Sequence, residues 1–363
     1  MKWAWAVPCC LSALFACGAE RPGEALGTLE QAFVNGNDDR LEYFELEDAA
    51  SRILMEQSLV ALVPDVLTRP LTRGNLEQLS TWEENDNLCP DEPFGDQPAA
   101  AFCTGVLVDW DLVLTSGHCV NVFALSRIRA VFGFYFREPG ELALTNRDVY
   151  GVAEVVTAQD EVTSVGERLD YAWLRLEQPV QSPHFPAAVR ARAVEVELGD
   201  AIVAINAGGG VPFKLDAGGR IRDLRRAQSD YFVADTDTSE GSSGGPAFDT
   251  ELKLVGTLAR GAPDFIETEG SCARTDRESD PALAREQFTY AFRAVEGLCE
   301  VEPGRWLCDT SCESCEPPPP PASADADDGC SLRPRQRSHS PAGSAMLLGL
   351  ALVAMGSRRR ARQ

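Results

Sequence analysis

The sequence predicts a mostly β fold, on three observations. Apolar runs of three to eight residues recur along the chain, Gly, Pro, Asp and Asn stand between them, and only two stretches carry apolar residues at helical spacing. Residues 47–57, with Ile53, Leu54 and alanines on one face, read as the first helix. Strand-length runs follow at residues 59–63, 106–108, 112–114, 130–136, 149–156, 171–176, 201–205, 231–234 and 252–258. Residues 288–298 close the series as a short C-terminal helix. No repeat unit organises them.

At 363 residues the chain has room for two domains, and a two-module β unit of more than about 200 residues can fill most of it as one functional body. A formal net charge of -23 repels polyphosphate, and the basic residues gather at the extreme C-terminus, so nucleic acid has little support as a partner.

Chemistry enters at Gly241 to Pro246, which reads G-S-S-G-G-P. A serine in such a turn has backbone N–H groups beside it for a developing oxyanion, and Ser243 is the candidate nucleophile. A serine hydroxyl needs a base at neutral pH. The chain has three histidines: His339 lies in the tail, and His184, in S-P-H-F-P, reads as an exposed loop. His118 follows an apolar run with Cys103 and Cys119 on either side of it, and Asp170 precedes the alternating run Y-A-W-L-R-L.

The block F-C-T-G-V-L-V-D-W-D-L-V-L-T-S-G-H-C, residues 102–119, resembles the F-C-G-G-S-L-I...T-A-A-H-C block of chymotrypsin-like serine proteases. R-L-D-Y-A-W-L-R-L resembles that family's D-I-A-L-L-K-L, and the order His, Asp, Ser is the family's. Residues 199–222, D-T-D-T-S-E-G-S-S-G-G-P, V-G-T-L-A-R-G-A-P-D-F and the early N-G-N-D-D-R are similar to the bacterial glutamyl-endopeptidase and trypsin-like group. The resemblance runs discontinuously over residues 34–298.

The resemblance implies two six-stranded antiparallel β-barrels and a Cys103–Cys119 disulfide. It implies a serine endopeptidase with His118 as general base, Asp170 orienting it, and the Gly241 and Ser243 N–H groups as oxyanion hole, needing no metal or organic cofactor. Its partners would be protein or peptide substrates, and its catalytic domain a monomer. Asp237, Thr238, Leu258 and Gly261 would fall about the substrate pocket, where Asp237 suits a basic side chain, with Asp235 a competing carboxylate and a structural or capping role the alternative for Asp237. Leu258 stands where glutamyl-specific members have a histidine, and Arg260 either meets an acidic group or lies exposed at a strand end. One departure is Ser242: animal digestive relatives have an aspartate there that pairs with a new N-terminus, so here the turn should be held by hydrogen bonds alone. Singly, each of the three residues also fits a structural role, and a catalytically silent surface binding protein on the same fold is the alternative.

Residues 1–17 form an export signal, with Cys17 placed for lipidation or Ala16 for ordinary cleavage, and residues 18–33 a leader or short propeptide. The protease domain spans 34–298 and a Cys-rich segment 299–316, in which disulfides are favoured over zinc and residues 308–315 form a small knot. The pairing of Cys89, Cys272, Cys299, Cys308, Cys312 and Cys315 stays open. Residues 317–329 read as a Pro-rich, acidic disordered linker. The 330–363 segment, D-G-C-S followed by an apolar stretch and arginines, resembles the myxobacterial-type C-terminal sorting tail. That implies sorting machinery, a cell-envelope membrane and attachment through Cys330, with the protein exported to the bacterial cell surface, outer membrane or extracellular space.

Overall fold

Alternation along six strands builds the first half of the fold. They are β1 (Leu59–Pro64), β2 (Cys103–Asp109), β3 (Leu112–Thr115), β4 (Ile128–Val131), β5 (Val149–Gln159) and β6 (Tyr171–Leu176). All neighbours are antiparallel, and the order β6-β3-β2-β1-β4-β5 closes a barrel. Successive side chains of a strand leave on opposite faces. Val60, Leu62, Leu107, Val113, Ile128, Ala130, Val152 and Leu174, drawn from every strand, form the cluster that fills the barrel. Their neighbours Leu59, Ala61, Val106, Leu114 and Trp173 belong instead to the cluster shared with the second half.

A computed structural model of the chain describes residues 34–35, 38–68, 79–193, 196–261, 265–267, 272–278, 280, 283–309, 317 and 319. The export signal with Cys17, the leader, Cys312 and Cys315, nearly all of the linker, and the tail with Cys330 lie outside the described residues.

The second half contains β7 (Val203–Asn206), β8 (Lys214–Asp216), β9 (Ile221–Asp223), β10 (Tyr231–Ala234), β11 (Pro246–Phe248), β12 (Leu254–Arg260) and β13 (Glu286–Tyr290). With the short Leu41–Glu42 strand they form an eight-stranded sheet ordered β9-β10-β13-β12-β11-β7-β8 and then Leu41–Glu42. Two closed barrels were expected, and among the described residues only the first is closed. In the second half β9 meets the lead-in to β7 through the bridge Ala201↔Arg220, with Ile202 N–H donating to Gly219 O at 2.9 Å. Gly199 N–H to Ile221 O at 2.8 Å and Ile221 N–H to Asp200 O at 3.0 Å join the same two segments, but they form no strand ladder, so the sheet stays open in its strand order.

Helix α1 (Ala49–Gln57) starts where Asp48 accepts the Ser51 N–H at 2.7 Å, within two residues of expectation. Helix α2 (Trp82–Asp86), which the sequence pattern did not single out, is set by a capping box between Thr81 and Glu84. Helix α3 (Ala291–Val301) begins three residues later than its apolar pattern suggests. Residues 287–289 pair on both sides, Phe288 opposite Phe232 and Leu258, so the ladder overrides the helical spacing there. α3 is tied to the barrel by Trp173 Nε1, which donates to Ala294 O at 2.8 Å.

Three disulfides join Cys89–Cys272, Cys103–Cys119 and Cys299–Cys308. Cys308 therefore closes back onto α3 and is not part of the knot expected at 308–315. His184 also departs from expectation: it is buried, bonded to Asp148 Oδ1 at 3.0 Å and stacked on Phe132, because an imidazole with a carboxylate partner can join an aromatic cluster.

Candidate active site

Thr104 on β2 ties the barrel to the Gly-rich turn. Its N–H donates to Ser243 O at 2.8 Å, and its hydroxyl donates to Gly241 O at 2.9 Å while accepting the Ala207 N–H at 3.0 Å. Gly241 and Gly244 have φ of 94° and 80°. A Cβ would lie 2.6 Å from Ala207 O at the first and would overlap Thr115 Oγ1 and Thr104 O at the second, so glycine alone fits both. The N–H groups of Ser242, Gly244 and Gly245 go to Ser239 O, Leu258 O and Ser242 O at 2.8, 2.7 and 2.7 Å. Those of Gly241 and Ser243 have no backbone partner among the described residues. The Ser242 hydroxyl donates to Asn206 Oδ1 at 2.8 Å and accepts the Ser239 N–H at 3.0 Å, so uncharged bonds hold the turn.

His118 sits in the 3-10 turn Gly117–Asn121 that follows β3, next to the disulfide-bonded Cys119. Asp170 immediately precedes β6 and is anchored to the second sheet by its N–H, which donates to Thr289 Oγ1 at 3.2 Å. Its Oδ2 lies 2.9 Å from His118 Nδ1, and its Oδ1 accepts the N–H groups of Gly117 and His118 at 2.7 and 3.2 Å. The Asp170 side chain is 3% exposed and the imidazole 41%. The carboxylate is thus shut off from water while the far edge of the ring is open.

His118 and Ser243 line one cavity of about 360 Å³, with Phe102, Gly241, Glu240 and Asp86. The hydroxyl and imidazole are not hydrogen-bonded to each other in this structure; without substrate such contacts are often long. Arg260 does meet an acidic group: its Nη2 lies 3.5 Å from Asp170 Oδ2, and its Nη1 is buried without a hydrogen-bond partner.

The expected pocket residues separate into two groups. Asp237, 2% exposed, is engaged with the N-terminal segment and β8: its N–H donates to Asp216 Oδ2 at 2.7 Å and its Oδ2 accepts the Asp39 N–H at 3.4 Å. Carboxylate oxygens of Asp39, Asp216 and Asp237 lie within 4.8 Å of one another. Burial and the Asp237 charge hold the Asp216 carboxyl well above the usual carboxylate range. Thr238 and Gly261 instead surround Glu286, and the Leu258 carbonyl braces the serine turn, accepting the Gly244 N–H and the Ser116 hydroxyl. Cys103, His118 and Cys119 also cluster, but both sulfurs are in a disulfide and cannot act as thiolate ligands.

Residues 103–256 match the trypsin-like peptidase domain. The matched stretch contains His118, Asp170 and Ser243 and ends before Leu258 and Glu286. Among solved structures, the chain is similar to a Glu endopeptidase in complex with MPD at 15% identity, over 74% of this chain and 97% of that one, with a TM-score of 0.43. It is similar to the inactive form of the Rv3671c protease of M. tuberculosis H37Rv at 16% identity, over 70% and 96%, with a TM-score of 0.40. Kallikrein-related peptidase 10 follows at 18% identity, over 56% and 91%, with a TM-score of 0.38. No curated protein matches the chain.

Sequence reasoning missed Glu286, which stands between Arg285 and Gln287 with no motif about it, far along the chain from the serine. It also missed the α2 wall of the cavity, five residues long and without an apolar period. The capping pair Thr81 and Glu84 was the available signal for α2.

Proposed function

We propose that the trypsin-like peptidase domain is a serine endopeptidase that hydrolyses peptide bonds through an acyl-enzyme on Ser243. The observation that carries this reading is His118, bonded at Nδ1 to the buried Asp170 and sharing a cavity at its open edge with Ser243. Asp170 fixes the tautomer in which Nδ1 is protonated and Nε2 is free to accept. His118 takes the Ser243 proton as the hydroxyl oxygen attacks the peptide carbonyl, and then delivers it to the leaving amine. The negative charge on the former carbonyl oxygen is met by the N–H groups of Gly241 and Ser243, each worth about 3 to 4 kcal/mol in comparable sites. Asp170 stays ionised throughout and stabilises the imidazolium.

Substrates in this reading are proteins or peptides, cleaved by a monomeric domain without metal or organic cofactor. The three disulfides support an exported protein. Surface attachment through Cys17 or Cys330, with sorting machinery acting on the tail, is part of the same proposal and rests on the sequence. A silent binding protein is the second reading, favoured by the lack of a Ser243–His118 hydrogen bond. Hydrolysis of denatured casein by the wild type and by Ser243→Ala and His118→Ala separates the two. The peptidase reading expects turnover that both substitutions abolish, and the binding reading expects none from any of the three.

A further inference from the structure

Resting on the serine endopeptidase reading, we infer that Trp82 is a positioning residue: through Gly209 it holds the Glu240–Gly241 peptide in the orientation that turns the Gly241 N–H toward the developing oxyanion. The two oxyanion amides are held differently. The Ser242–Ser243 peptide is fixed inside the turn, where its carbonyl accepts the Gly245 N–H at 2.7 Å. The carbonyl of the Glu240–Gly241 peptide accepts the Gly209 N–H at 2.6 Å, from a separate loop. A trans peptide is planar, and its C=O and N–H leave on opposite sides. The bond to Gly209 therefore sends the Gly241 N–H away from that loop, and this N–H has no backbone partner among the described residues. Gly241, with φ of 94° and no Cβ, offers little resistance to rotation of the peptide. Half a turn would bring the Glu240 carbonyl oxygen to where the Gly241 N–H now points, and two oxygens would then repel.

Gly209 is pressed into place by α2. Its φ is 69°, and the indole of Trp82 lies so close that a Cβ on Gly209 would overlap the ring. Trp82 is buried with Leu88 and Val211. Its ring is oriented by Nε1, which donates to Asp86 Oδ2 at 2.7 Å, and its backbone by an N–H that donates to Gln97 O at 3.0 Å. The Cys89–Cys272 disulfide fastens the chain three residues after α2. On the far side of Gly209, Gly210 O accepts the N–H groups of Ala100 and Ala101 at 2.8 and 3.1 Å. Gly209 is thus confined between the indole and the Glu240 carbonyl, with its N–H directed at that carbonyl. Asp86, Gly209, Glu240 and Ser243 line the same cavity, while Trp82 itself stands behind it and acts only through Gly209.

The test compares wild type, Trp82→Ala, Trp82→Phe and Gly209→Ala on a peptide that the wild type cleaves. Two inhibitors of the same peptide sequence accompany it: an aldehyde, whose carbonyl oxygen becomes an anion when Ser243 adds to it, and the corresponding alcohol, which presents no such anion. Gly209→Ala drives a methyl group against the indole and displaces the same N–H while α2 keeps its sequence. Trp82→Ala and Gly209→Ala should each lower kcat about a hundredfold, the effect of losing one oxyanion donor, with KM changed by about threefold or less. Aldehyde affinity should fall by the same factor as kcat, and alcohol affinity should hold. Trp82→Phe, whose ring still covers Gly209, should keep kcat within about fivefold of wild type. Unchanged kcat in Trp82→Ala and Gly209→Ala, a loss that appears equally in alcohol affinity and KM, or a Trp82→Phe as impaired as Trp82→Ala overturns the inference alone. A wild type with neither turnover nor a fluorophosphonate label on Ser243 overturns the endopeptidase reading and the inference with it. Should Trp82→Ala fail to fold, Gly209→Ala decides.

Discussion

Arg260 Nη2 lies 3.5 Å from Asp170 Oδ2, the same oxygen that bonds His118 Nδ1 at 2.9 Å. The cation gives the orienting carboxylate one more partner, and the carboxylate is also held by the N–H groups of Gly117 and His118. Arg260, whose side chain is 31% exposed, is therefore an auxiliary. We expect Arg260→Met to lower kcat/KM by about tenfold or less, which matches the small worth of a partly solvated pair. Asp170→Asn, which removes the acceptor for Nδ1–H, should cost about 10⁴-fold. Steady-state kinetics on the two variants checks the ranking, and equal losses would place Arg260 in the reaction itself.

The Ser242 hydroxyl is buried and serves two partners, Asn206 Oδ1 and the Ser239 N–H. Ser242→Ala leaves the Ser239 N–H without its acceptor, a cost of about 1 to 3 kcal/mol. Thermal melting should fall, and kcat should drop more than KM rises, because the turn aims the Gly241 and Ser243 amides. A variant with unchanged kcat would detach Ser242 from the aim of the turn.

The Cys103–Cys119 bridge closes a loop with a sequence separation of 16 residues and holds the segment next to His118. By chain-entropy arguments a loop of this size contributes about 3 kcal/mol. The Cys103→Ser/Cys119→Ser double variant should unfold at correspondingly lower denaturant and lose activity through disorder of the His118 turn. Chemical denaturation reads the first effect and peptide hydrolysis the second.

Asp216 supplies a pH dependence whose sign is fixed. Burial and the charge of Asp237 raise its folded-state pKa well above the ordinary aspartate value of 3.8. The protonated form is thus favoured by folding, and the associated stability is complete below the unfolded value and lost as pH rises through the raised folded one. The amide introduced by Asp216→Asn does not titrate. The melting temperature of wild type minus that of Asp216→Asn should decline steadily above about pH 4, whatever constant offset the altered hydrogen bonds impose. A difference that grows with pH would reverse the assignment.

Strands in both halves were legible from short apolar runs between turn residues: Tyr171–Leu176 of the barrel and Tyr231–Ala234 of the second sheet coincide with the expected strands. The start of α3 was misplaced because residues 288–290 satisfy helical spacing locally, while their partners in β10 and β12 are distant in sequence. Ser243 was named from the Gly-rich turn, His118 from the apolar run and cysteines beside it, Asp170 from the apolar run after it, and all three from the resemblance to chymotrypsin-like proteases, which are signals local to each segment. Glu286 carried none: its meaning comes from Thr238 and Gly261, which only the folded sheet brings to it. His184 was misread for the same reason, since Phe132 and Asp148 are contributed by other segments.

The most direct test of the account is intact-mass spectrometry of the protein after reaction with a fluorophosphonate, followed by peptide mapping. The account predicts a single covalent adduct on Ser243, absent from His118→Ala over the same interval. No adduct, or one on another residue, would contradict it.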